Sequence, residues 1–431
     1  MLNTVYDVCI IGAGASGLVA AIESSRRGLS SVVVDKNKKP GMKLYATGNG
    51  RCNLTNDTWE EDSYYGNEFV DQVYDAIYKK TNHRQRTFVT NYFDDLGLRT
   101  VSRDGYIYPA SFQASSVVWT LLDAANYMGV GFFPKFLATS VDLINMSDFM
   151  DSFDMKDSKI PDDLEIYRIN IENEEGEYSI YARNIILASG GLSQPKLGAV
   201  DSNIMDGLLE SLKLPVRDFQ SGLCPVMVNE DISELAGVRT RARLSIGKYS
   251  EVGELQLTEE GISGIVTFNL SYYMKPGLDI IINLLPKLAE EDMVEHFNRV
   301  KRQYPGKRLD AFLNGYVNDK LGSYMIRLFY GSDMKLVLRD VTETGIRGIY
   351  QQMTEWKLGI RAKAKFDNSQ ASIGGIITNV IDPSTMHISS DKCLGKRLFA
   401  TGEVTDVIGK CGGYNLTYAF VTGYLAGTSV R

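Results

Sequence analysis

The sequence predicts an α/β fold in which both ends of the chain build one domain around parallel strands and the middle forms an insertion. Near its start, the 431-residue chain has an apolar run, a glycine-rich turn and a helical pattern within residues 5–21. Residues 397–403 form a second short apolar run, followed by a glycine pair and an apolar helical segment. Between about residues 194 and 360, short alternating segments and helices replace the strand–helix–strand spacing.

The first element is a strand, a turn and a helix of the dinucleotide-binding type. The β-branched run Val5–Ile11 is typical of a buried parallel strand. Gly12 permits the tight turn, Gly14 lets the backbone approach a pyrophosphate, and Gly17 lets the helix pack closely on the strand. Free N–H groups and the dipole at the start of the helix favour negative charge. The residues that we expect to bind phosphate here are Gly12, Ala13, Gly14, Ala15, Ser16 and Gly17.

The next strand, residues 31–35, ends in a carboxylate. Asp35 lies about 20 residues beyond Gly14, the distance expected for an acid that accepts hydrogen bonds from ribose hydroxyls. A carboxylate at this place disfavours a 2′-phosphate. The alternative is a chance glycine turn in an ordinary βαβ unit, and the agreement of strand, helix and acid argues against it. Lys36, which follows the acid, belongs to the predicted cofactor site.

The second glycine-rich segment distinguishes FAD from NAD. Residues 397–403 read as a strand that ends in a small residue, a glycine and an acid, as in flavoproteins of the two-dinucleotide-binding-domain type. Glu403 would accept a hydrogen bond from the ribityl chain, and Gly402 would admit a phosphate. The pair 412–413 precedes an apolar helix, 416–427, whose N-terminus suits the flavin N1 and C2 carbonyl. Taken alone, the glycine pair is also compatible with a flexible turn before a surface helix.

A glycine-rich loop completes the predicted FAD site. Residues 36–56 combine glycines with Lys43 and Arg51, and a loop over a pyrophosphate needs close backbone approach and a cation. A solvated turn with a stray arginine is the alternative. The apolar run 184–191 ends in small residues, where we expect the chain to pass the cofactor again. Together these segments contribute Lys43, Gly48, Asn49, Gly50, Arg51, Cys52, Asn53, Ala188, Gly190, Gly402, Glu403, Gly412, Gly413, Asn415 and Leu416. Outside these segments, Ala138 is also predicted to contact the cofactor.

The remaining pattern predicts the domain organisation. Residues 165–182 read as a hairpin with a turn at 173–176, and residues 141–163 as a solvated connection. Further strands are predicted at 243–246, 254–258 and 335–339, and helices at 286–302 and 308–328. The predicted domains are an FAD-binding domain of residues 1–193 and 367–431, a β-barrel-like insertion of residues 194–260 and 332–366, and a helical subdomain of residues 261–331.

Composition limits the partners. A net charge of -7 argues against a protein that binds nucleic acid through phosphate contacts, so we expect a small-molecule substrate. No run of eighteen apolar residues exists, which predicts no membrane contact. Five cysteines, an odd number and widely spaced, indicate reduced thiols and a cytoplasmic location. Three histidines without a Cys-x-x-Cys motif give no basis for a metal site. The oligomeric state cannot be read from the sequence.

Several motifs together resemble the BaiN-like flavoproteins, an aminoacetone-oxidase-type family of FAD-dependent NAD(P)/FAD oxidoreductases. They span nearly the whole chain: Ile11–Gly17, Gly48–Asn56, Gly261–Gly264, Ala371–Gly375, Asp382–Met386, Gly402–Asp406 and Gly412–Leu416. The resemblance implies a Rossmann-type FAD-binding domain with an inserted β-barrel and a helical subdomain. It also implies FAD contacts at Asp35, the loop 48–53, Glu403 and the segment 412–416.

The same resemblance implies an activity. It suggests NAD(P)H-linked reduction of an activated carbon–carbon double bond, as in oxo-steroid or bile-acid intermediates. Hydride would pass from flavin N5 to the β-carbon of an enone, and an acid would protonate the α-carbon. Tyr414, Cys52 and Cys411 are weak candidates for catalysis. No second Gly-x-Gly-x-x-Gly follows a strand, so a site for NAD(P)H as a transient donor lacks the usual fingerprint.

Two other functions remain open from the sequence. One is an amine oxidase that uses oxygen and releases peroxide. The other is a flavin-binding regulatory protein without catalytic turnover. A flavin-dependent tRNA-modifying activity is disfavoured by the acidic net charge and the lack of a basic face.

Overall fold

The computed structural model describes residues 4–58, 62–65, 68–152, 164–331 and 335–431. The chain divides into two compact units. Unit 1 comprises the described residues up to Ser221 together with those from Gln370 onward, and unit 2 comprises those from Gly222 to Ser369. Among the described residues, no helix has both the length and the apolar character of a membrane span.

The strands are, in chain order, β1 Val5–Ile11, β2 Ser31–Asp35, β3 Thr55–Asn56, β4 Tyr64–Tyr65, β5 Thr100–Arg103, β6 Tyr106–Pro109, β7 Gly131–Pro134, β8 Leu137–Asn145, β9 Glu165–Asn173, β10 Gly176–Leu187, β11 Val216–Gly222, β12 Val226–Val228, β13 Arg239–Ile246, β14 Tyr249–Leu257, β15 Gly261–Ser263, β16 Asp279–Asn283, β17 Trp356–Lys363, β18 Ala371–Ile376, β19 Leu398–Ala400 and β20 Ile408–Gly409.

The α-helices are, in the same order, α1 Ala15–Arg26, α2 Met42–Ala46, α3 Glu68–Thr81, α4 Gln85–Asp95, α5 Ala114–Tyr127, α6 Met146–Ser152, α7 Ser202–Ser211, α8 Ile265–Leu270, α9 Glu290–Gln303, α10 Leu309–Leu313, α11 Asp319–Tyr330, α12 Glu343–Thr354 and α13 Tyr414–Ser429.

Unit 1 is built on a seven-stranded sheet of order β7-β2-β1-β10-β9-β8, with β19 also paired to β10. The strands β7, β2, β1, β10 and β19 run parallel. For β1 and β2, the β-branched and largely buried sequences predict this arrangement. Ile11 pairs with Val34 of β2 and Leu187 of β10, and Ala400 of β19 also lies opposite Leu187. The carboxyl ends of four parallel strands therefore meet at one edge of the sheet, where ligands bind in open α/β sheets.

Two helices pack against each other unusually closely in this unit. A Cβ placed on Gly423 of α13 would stand 2.4 Å from the Ser16 carbonyl oxygen of α1. One placed on Gly427, a turn later, would stand 2.5 Å from the Ala20 carbonyl oxygen. Only glycine fits at both positions, because any side chain would overlap backbone atoms that cannot rotate away. The glycine-fingerprint helix and the helix near residue 429 thus form one tightly packed pair.

Unit 2 is a closed barrel of order β12-β15-β14-β13-β16-β17 with helices packed on it. Along β13, Ala242, Leu244 and Ile246 are buried while Arg243 and Ser245 between them are not, as the period of two requires. The barrel and the helices α9–α12 share one hydrophobic core that includes Leu244 and Phe297. The sheet of unit 1, with its parallel strands, and the closed barrel of unit 2 confirm the predicted α/β fold class with an inserted barrel.

The hairpin predicted at residues 165–182 is confirmed by β9 and β10, which pair antiparallel with Asn173 opposite Gly176. The predicted solvated connection at 141–163 is wrong in its first part, and residues 153–163 lie outside the described residues. Instead β8 continues to Asn145 and α6 follows, with Met146 and Phe149 buried in a small core. Scattered apolar residues here pack on the hairpin, which their spacing in the sequence does not reveal.

Two other local predictions are corrected. The strand predicted at 335–339 is an isolated bridge between Val337 and Arg308, followed by a 3-10 turn whose Leu338 is buried. The single helix predicted at 308–328 is two helices, α10 and α11. The second starts anew because the Asn318 side chain accepts a hydrogen bond from the Lys320 amide, which caps its first turn.

The units also differ in extent from the predicted domains. Residues 194–221, predicted as part of the insertion, lie in unit 1, where α7 packs on β8 and β11 pairs with β18. Residues 367–369 lie in unit 2. Strands β15 and β16 belong to the barrel although they fall in the range predicted as a helical subdomain.

Candidate functional site

The three glycines of the first turn differ in the space around them. Gly12 has a φ of 108°, and a Cβ there would lie 2.3 Å from the Ala188 carbonyl oxygen. A Cβ on Gly17 would lie 1.9 Å from the Gly12 carbonyl oxygen. A Cβ on Gly14 meets no atom within 4 Å. The space beside Gly14, at the start of α1, is therefore not filled by the described protein, whereas the other two glycines are required by the packing of the turn itself.

Asp35 lies at the same sheet edge, at the end of β2. Its two carboxylate oxygens accept hydrogen bonds from the amides of Ala13 and Asn37, both at 2.7 Å. Burial is the main influence on this carboxyl group and raises its pKa. The neighbouring Lys36 donates to the Ala199 carbonyl oxygen at 2.6 Å. The acid therefore holds the glycine turn in place and retains lone pairs for a further donor.

A cavity opens beside Asp35. Its lining is mostly apolar and consists of Ile11, Gly12, Val34, Asp35, Lys36, Phe136, Leu137, Ala138, Ser189, Gly198, Val200, Ile204, Met205 and Leu208. Predicted site residues and residues that sequence reasoning missed meet here. The missed group from α7, Ile204, Met205 and Leu208, shows the apolar spacing of one helical face. This spacing predicts an apolar helix face in the sequence, but it does not predict which domain the face packs against.

A lysine and a glutamate from distant parts of the chain meet at this edge as well. Lys43 donates to Glu403 at 2.6 Å, and the two side chains are 30% and 24% exposed. The other Glu403 oxygen accepts the Ser372 amide at 2.9 Å. Gly190 lies next to them, since its Cβ position is 3.8 Å from Glu403 Oε2. Because the ion pair is partly open to solvent, both groups are reachable by a ligand and their pairing adds little stability.

The predicted loop contains a run of left-handed residues. Gly48 and Asn49 have φ values of 56° and 55°, and Cys52 has one of 57°. Non-glycine residues in this conformation are strained and concentrate at functional sites. Asn53, the next residue, has a buried Oδ1 atom with no hydrogen-bond partner among the described residues. Gly48, Asn49, Gly50 and Arg51 are all exposed. The loop thus presents exposed backbone and one orphaned acceptor.

The segments 402–403 and 412–416 contact both the first turn of α1 and the glycine-rich loop. A Cβ on Gly402 would lie 2.7 Å from Ser16 Oγ, and one on Gly413 would lie 2.9 Å from the backbone of Thr55, which follows the loop. Asn415 exchanges hydrogen bonds with the backbone of Gly409, at 2.8 and 2.9 Å. Gly413 and Gly14 directly precede α13 and α1, and neither helix start has a side-chain cap. Leu416 lies in the first turn of α13 and is half-buried.

The three residues considered for catalysis lie in different environments. The buried Tyr414 hydroxyl donates to the Thr58 carbonyl oxygen at 3.0 Å. Cys52 is fully buried, and burial raises the pKa of its thiol to about 11. Cys411 is partly exposed, and its Sγ lies 3.8 Å from Gln370 Oε1. Cys52 therefore has no thiolate character near neutral pH, which disfavours a redox pair with Cys411.

This difference predicts selective thiol labelling. At pH 8 we expect dithionitrobenzoate to modify Cys411 and Cys393 rapidly, since both are partly exposed. Cys52 and Cys9 should stay unmodified until the protein unfolds, because burial raises the pKa of the Cys9 thiol to about 12 and excludes the reagent. Mass spectrometry of tryptic peptides identifies the labelled sites. A Cys411→Ser variant should lose one fast equivalent, and fast labelling of Cys52 would contradict the buried position.

These features fit an extended dinucleotide such as FAD. Unfilled space at Gly14, a carboxylate at an apolar cavity, the orphaned Asn53 acceptor and two uncapped helix starts lie along connected segments of unit 1. A phosphate suits a helix start and a glycine-rich turn, and a ribose suits a buried carboxylate. The sheet edge therefore provides backbone donors for a phosphate at the start of α1 and a carboxylate acceptor for a ribose at Asp35.

The chain is similar over nearly its whole length to proteins of known name. Residues 6–429 match the profile of the HI0933-like protein Rossmann domain. A 3-dehydro-bile acid delta(4,6)-reductase of Clostridium scindens is 31% identical over 97% of this chain and 97% of its own length. A ribosomal RNA dihydrouridine synthase of Escherichia coli is 24% identical over 97% of this chain and 96% of its own length.

A solved structure with similar extent is the 3-ketosteroid delta1-dehydrogenase of Sterolibacterium denitrificans. It is 12% identical, with a TM-score of 0.48, and the match covers 99% of both chains.

Proposed function

The chain belongs to the HI0933-like Rossmann-domain family and is an FAD-dependent oxidoreductase, and from this premise we propose that it reduces a carbon–carbon double bond conjugated to a carbonyl group, with NAD(P)H as electron donor. The family inferred from the motifs is confirmed. The observation that carries the proposal is the 31% identity, over 97% of both chains, to a protein named as a reductase of such double bonds. The five free thiols favour a reducing compartment, and we propose the cytoplasm.

We assign the chain's own residues to binding roles. The first turn of α1, with Gly14, would hold the pyrophosphate, and Asp35 would accept from a ribose hydroxyl. Glu403 would accept from the ribityl chain, and Lys43, now its ion-pair partner, would turn to a phosphate oxygen. The uncapped start of α13 would stabilise negative charge on the ring. When bound, the flavin supplies hydride transfer at N5.

The proposal is tested by the visible spectrum of the purified protein under anaerobic conditions. We expect a flavin spectrum that bleaches within seconds on addition of NADH or NADPH and returns on addition of a 3-oxo-Δ4 steroid. The saturated 3-oxo steroid is the matched control and should leave the flavin reduced. A flavin that stays oxidised with both donors, while amines cause oxygen consumption, would replace the proposal by an amine oxidase. A flavin inert to all of these would favour a regulatory protein.

A second candidate function has a specific basis in the comparisons. Two relatives named as ribosomal RNA dihydrouridine synthases, from Escherichia coli and Haemophilus influenzae, match 97% and 98% of this chain. The bond that such an enzyme reduces, C5=C6 of uracil, is also conjugated to a carbonyl group. We favour the small-molecule substrate, because a net charge of -7 opposes a phosphate backbone. Dihydrouridine formed in ribosomal RNA by the reduced protein, with no steroid turnover, would reverse this preference.

A further inference from the structure

The chain that follows helix α9 in unit 2 is exposed and basic. Residues 302–308, which we call the basic turn, are all exposed and include Arg302, Lys307 and Arg308 but no acid. A cation in the last turn of a helix is stabilised by the helix dipole, which accounts for Arg302. Lys307 and Arg308 lie beyond the end of α9, so its dipole does not account for them.

Backbone hydrogen bonds hold a second basic segment, residues 335–339, against the basic turn. The Arg339 amide donates to the Pro305 carbonyl oxygen at 2.9 Å, and the Leu338 amide donates to the Lys307 carbonyl oxygen at 2.9 Å. The side chains of Lys335 and Arg339 are exposed. The two segments therefore form one surface, which we call the basic patch. Because they are separate in the chain, the sequence shows no long basic run here.

Carboxylates neutralise only part of the basic patch. Arg308 pairs with Asp310, and Arg339 lies 3.9 Å from Asp340. Within the described parts of the chain, no carboxylate pairs with the other three cations, Arg302, Lys307 and Lys335. The net charge of -7 does not oppose an anion at this surface, since residues 222–369 contain nearly equal numbers of basic and acidic residues. The basic patch thus carries an excess of positive charge.

An aromatic side chain lies within the basic turn. Tyr304 is 56% exposed, and with Gly306 and Lys307 it lines an open depression of about 410 Å³. The backbone fixes this arrangement, because the Lys307 amide donates to the Tyr304 carbonyl oxygen at 3.0 Å and the Tyr304 amide donates to that of Val300 at 2.7 Å. An exposed ring beside an ammonium group offers a face for stacking and a cation for a neighbouring phosphate.

We propose that the basic patch binds single-stranded RNA, with a base stacked on Tyr304 and phosphates bound by the surrounding cations. Cations around an exposed aromatic ring are the combination that single-stranded nucleic acids need, and RNA is the nucleic acid whose loops leave bases unpaired. An anionic membrane would need further apolar side chains to insert, and Tyr304 is the only large one exposed in the basic turn. The proposal goes beyond the proposed function, since it concerns unit 2 alone and holds whichever substrate the flavin reduces.

Fluorescence anisotropy with labelled oligouridine of about 12 nucleotides tests the basic patch without turnover. At about 50 mM salt we expect saturable binding by the full-length protein. The double variant Arg302→Gln/Lys307→Gln should bind about tenfold more weakly, and its salt slope should fall by roughly 1.4, because each phosphate contact of a single strand contributes about 0.7. Tyr304→Ala should weaken binding about tenfold with an unchanged salt slope, whereas Tyr304→Phe should bind like the parent protein.

The matched control is Lys357→Gln/Arg361→Gln, which removes two exposed cations of unit 2 that have carboxylate partners. This control should bind RNA like the parent protein, and circular dichroism should show that every variant is folded. Equal losses in both double variants would show general charge attraction and overturn the proposal. Absence of binding at about 50 mM salt would do so as well. Binding of phosphatidylglycerol vesicles or polyglutamate, but not of oligouridine, would replace RNA by another anionic partner and also overturn it.

Photo-cross-linking locates the contact directly. Oligouridine that contains 5-bromouracil should form an adduct that mass spectrometry of tryptic peptides places on Tyr304. Adducts found only outside the basic patch would overturn the proposal. Neither measurement uses NAD(P)H or an enone, so a loss of RNA binding leaves the proposed function standing. Conversely, a protein that fails to reduce any enone and still cross-links at Tyr304 would keep the RNA surface and reject the proposed function.

Discussion

Replacing Gly17 by alanine should unfold the nucleotide-binding turn and remove FAD. The added Cβ would stand 1.9 Å from the Gly12 carbonyl oxygen and 3.1 Å from the Ala188 side chain, both parts of the sheet edge. Backbone atoms cannot rotate out of the way, so α1 must move off β1. We expect a loss of about 3 kcal/mol or more in the free energy of unfolding, as for severe overpacking. Thermal unfolding and the flavin-to-protein absorbance ratio measure the two effects.

Gly14→Ala is the matched control for this variant, since the same methyl group meets no protein atom within 4 Å. We expect a melting temperature close to that of the parent protein and a lower flavin content, because the methyl group would occupy space that the pyrophosphate needs. Equal destabilisation by both alanines would show that the clash at Gly17 is relieved by a small shift. A Gly14→Ala protein with full flavin content would show that the cofactor does not pass this residue.

Replacing Gly423 by valine should separate α13 from α1. The Cβ would lie 2.4 Å from the Ser16 carbonyl oxygen, and valine adds two further methyl groups in the same direction. We expect destabilisation by about 3 kcal/mol or more. Flavin content should fall as well, because α13 carries Asn415 and Leu416 of the candidate site and directly follows Gly413. Thermal unfolding with and without added FAD distinguishes a weakened fold from a weakened cofactor site.

Gly207→Ala tests whether the geometry, and not the loss of a glycine, decides the result. Gly207 lies in α7, is exposed, and has no atom within 4 Å of its Cβ position. Alanine there should stabilise the protein by about 0.5–1 kcal/mol, because glycine is a poor helix former. A loss of stability at Gly207 comparable to that at Gly423 would contradict the close helix crossing as the cause.

The sheet of unit 1 was predictable because its signals are local. Strands β1 and β2 are short runs of β-branched residues followed by glycine or acid, and β10 ends in small residues at Ala188. The barrel was harder, because its pairings join strands far apart in the chain, such as β12 with β17. Hydrophobic period gives the faces of such strands but not their partners. For the same reason, β15 and β16 were not separated from the neighbouring helices.

The candidate site shows the same division. Gly12, Asp35 and Glu403 follow strands whose carboxyl ends meet, so their motifs predict their proximity. The ion pair between Lys43 and Glu403 depends on the fold of a loop, and no local pattern specifies it. The contribution of α7 to the cavity was missed because its sequence resembles any amphipathic helix.

The order of segments along the chain has a consequence for biosynthesis. Unit 1 needs β19, Glu403 and α13, yet these follow unit 2 in the sequence. Translating the roughly 150 residues of unit 2 takes about 7–30 s at typical elongation rates. During that interval residues 185–187 of β10 lack the strand β19, and the face of α1 that includes Ser16 and Ala20 lacks α13. We therefore expect FAD to bind stably only after the segment with Glu403 and α13 has been made, and the nascent first half to expose apolar surface until then.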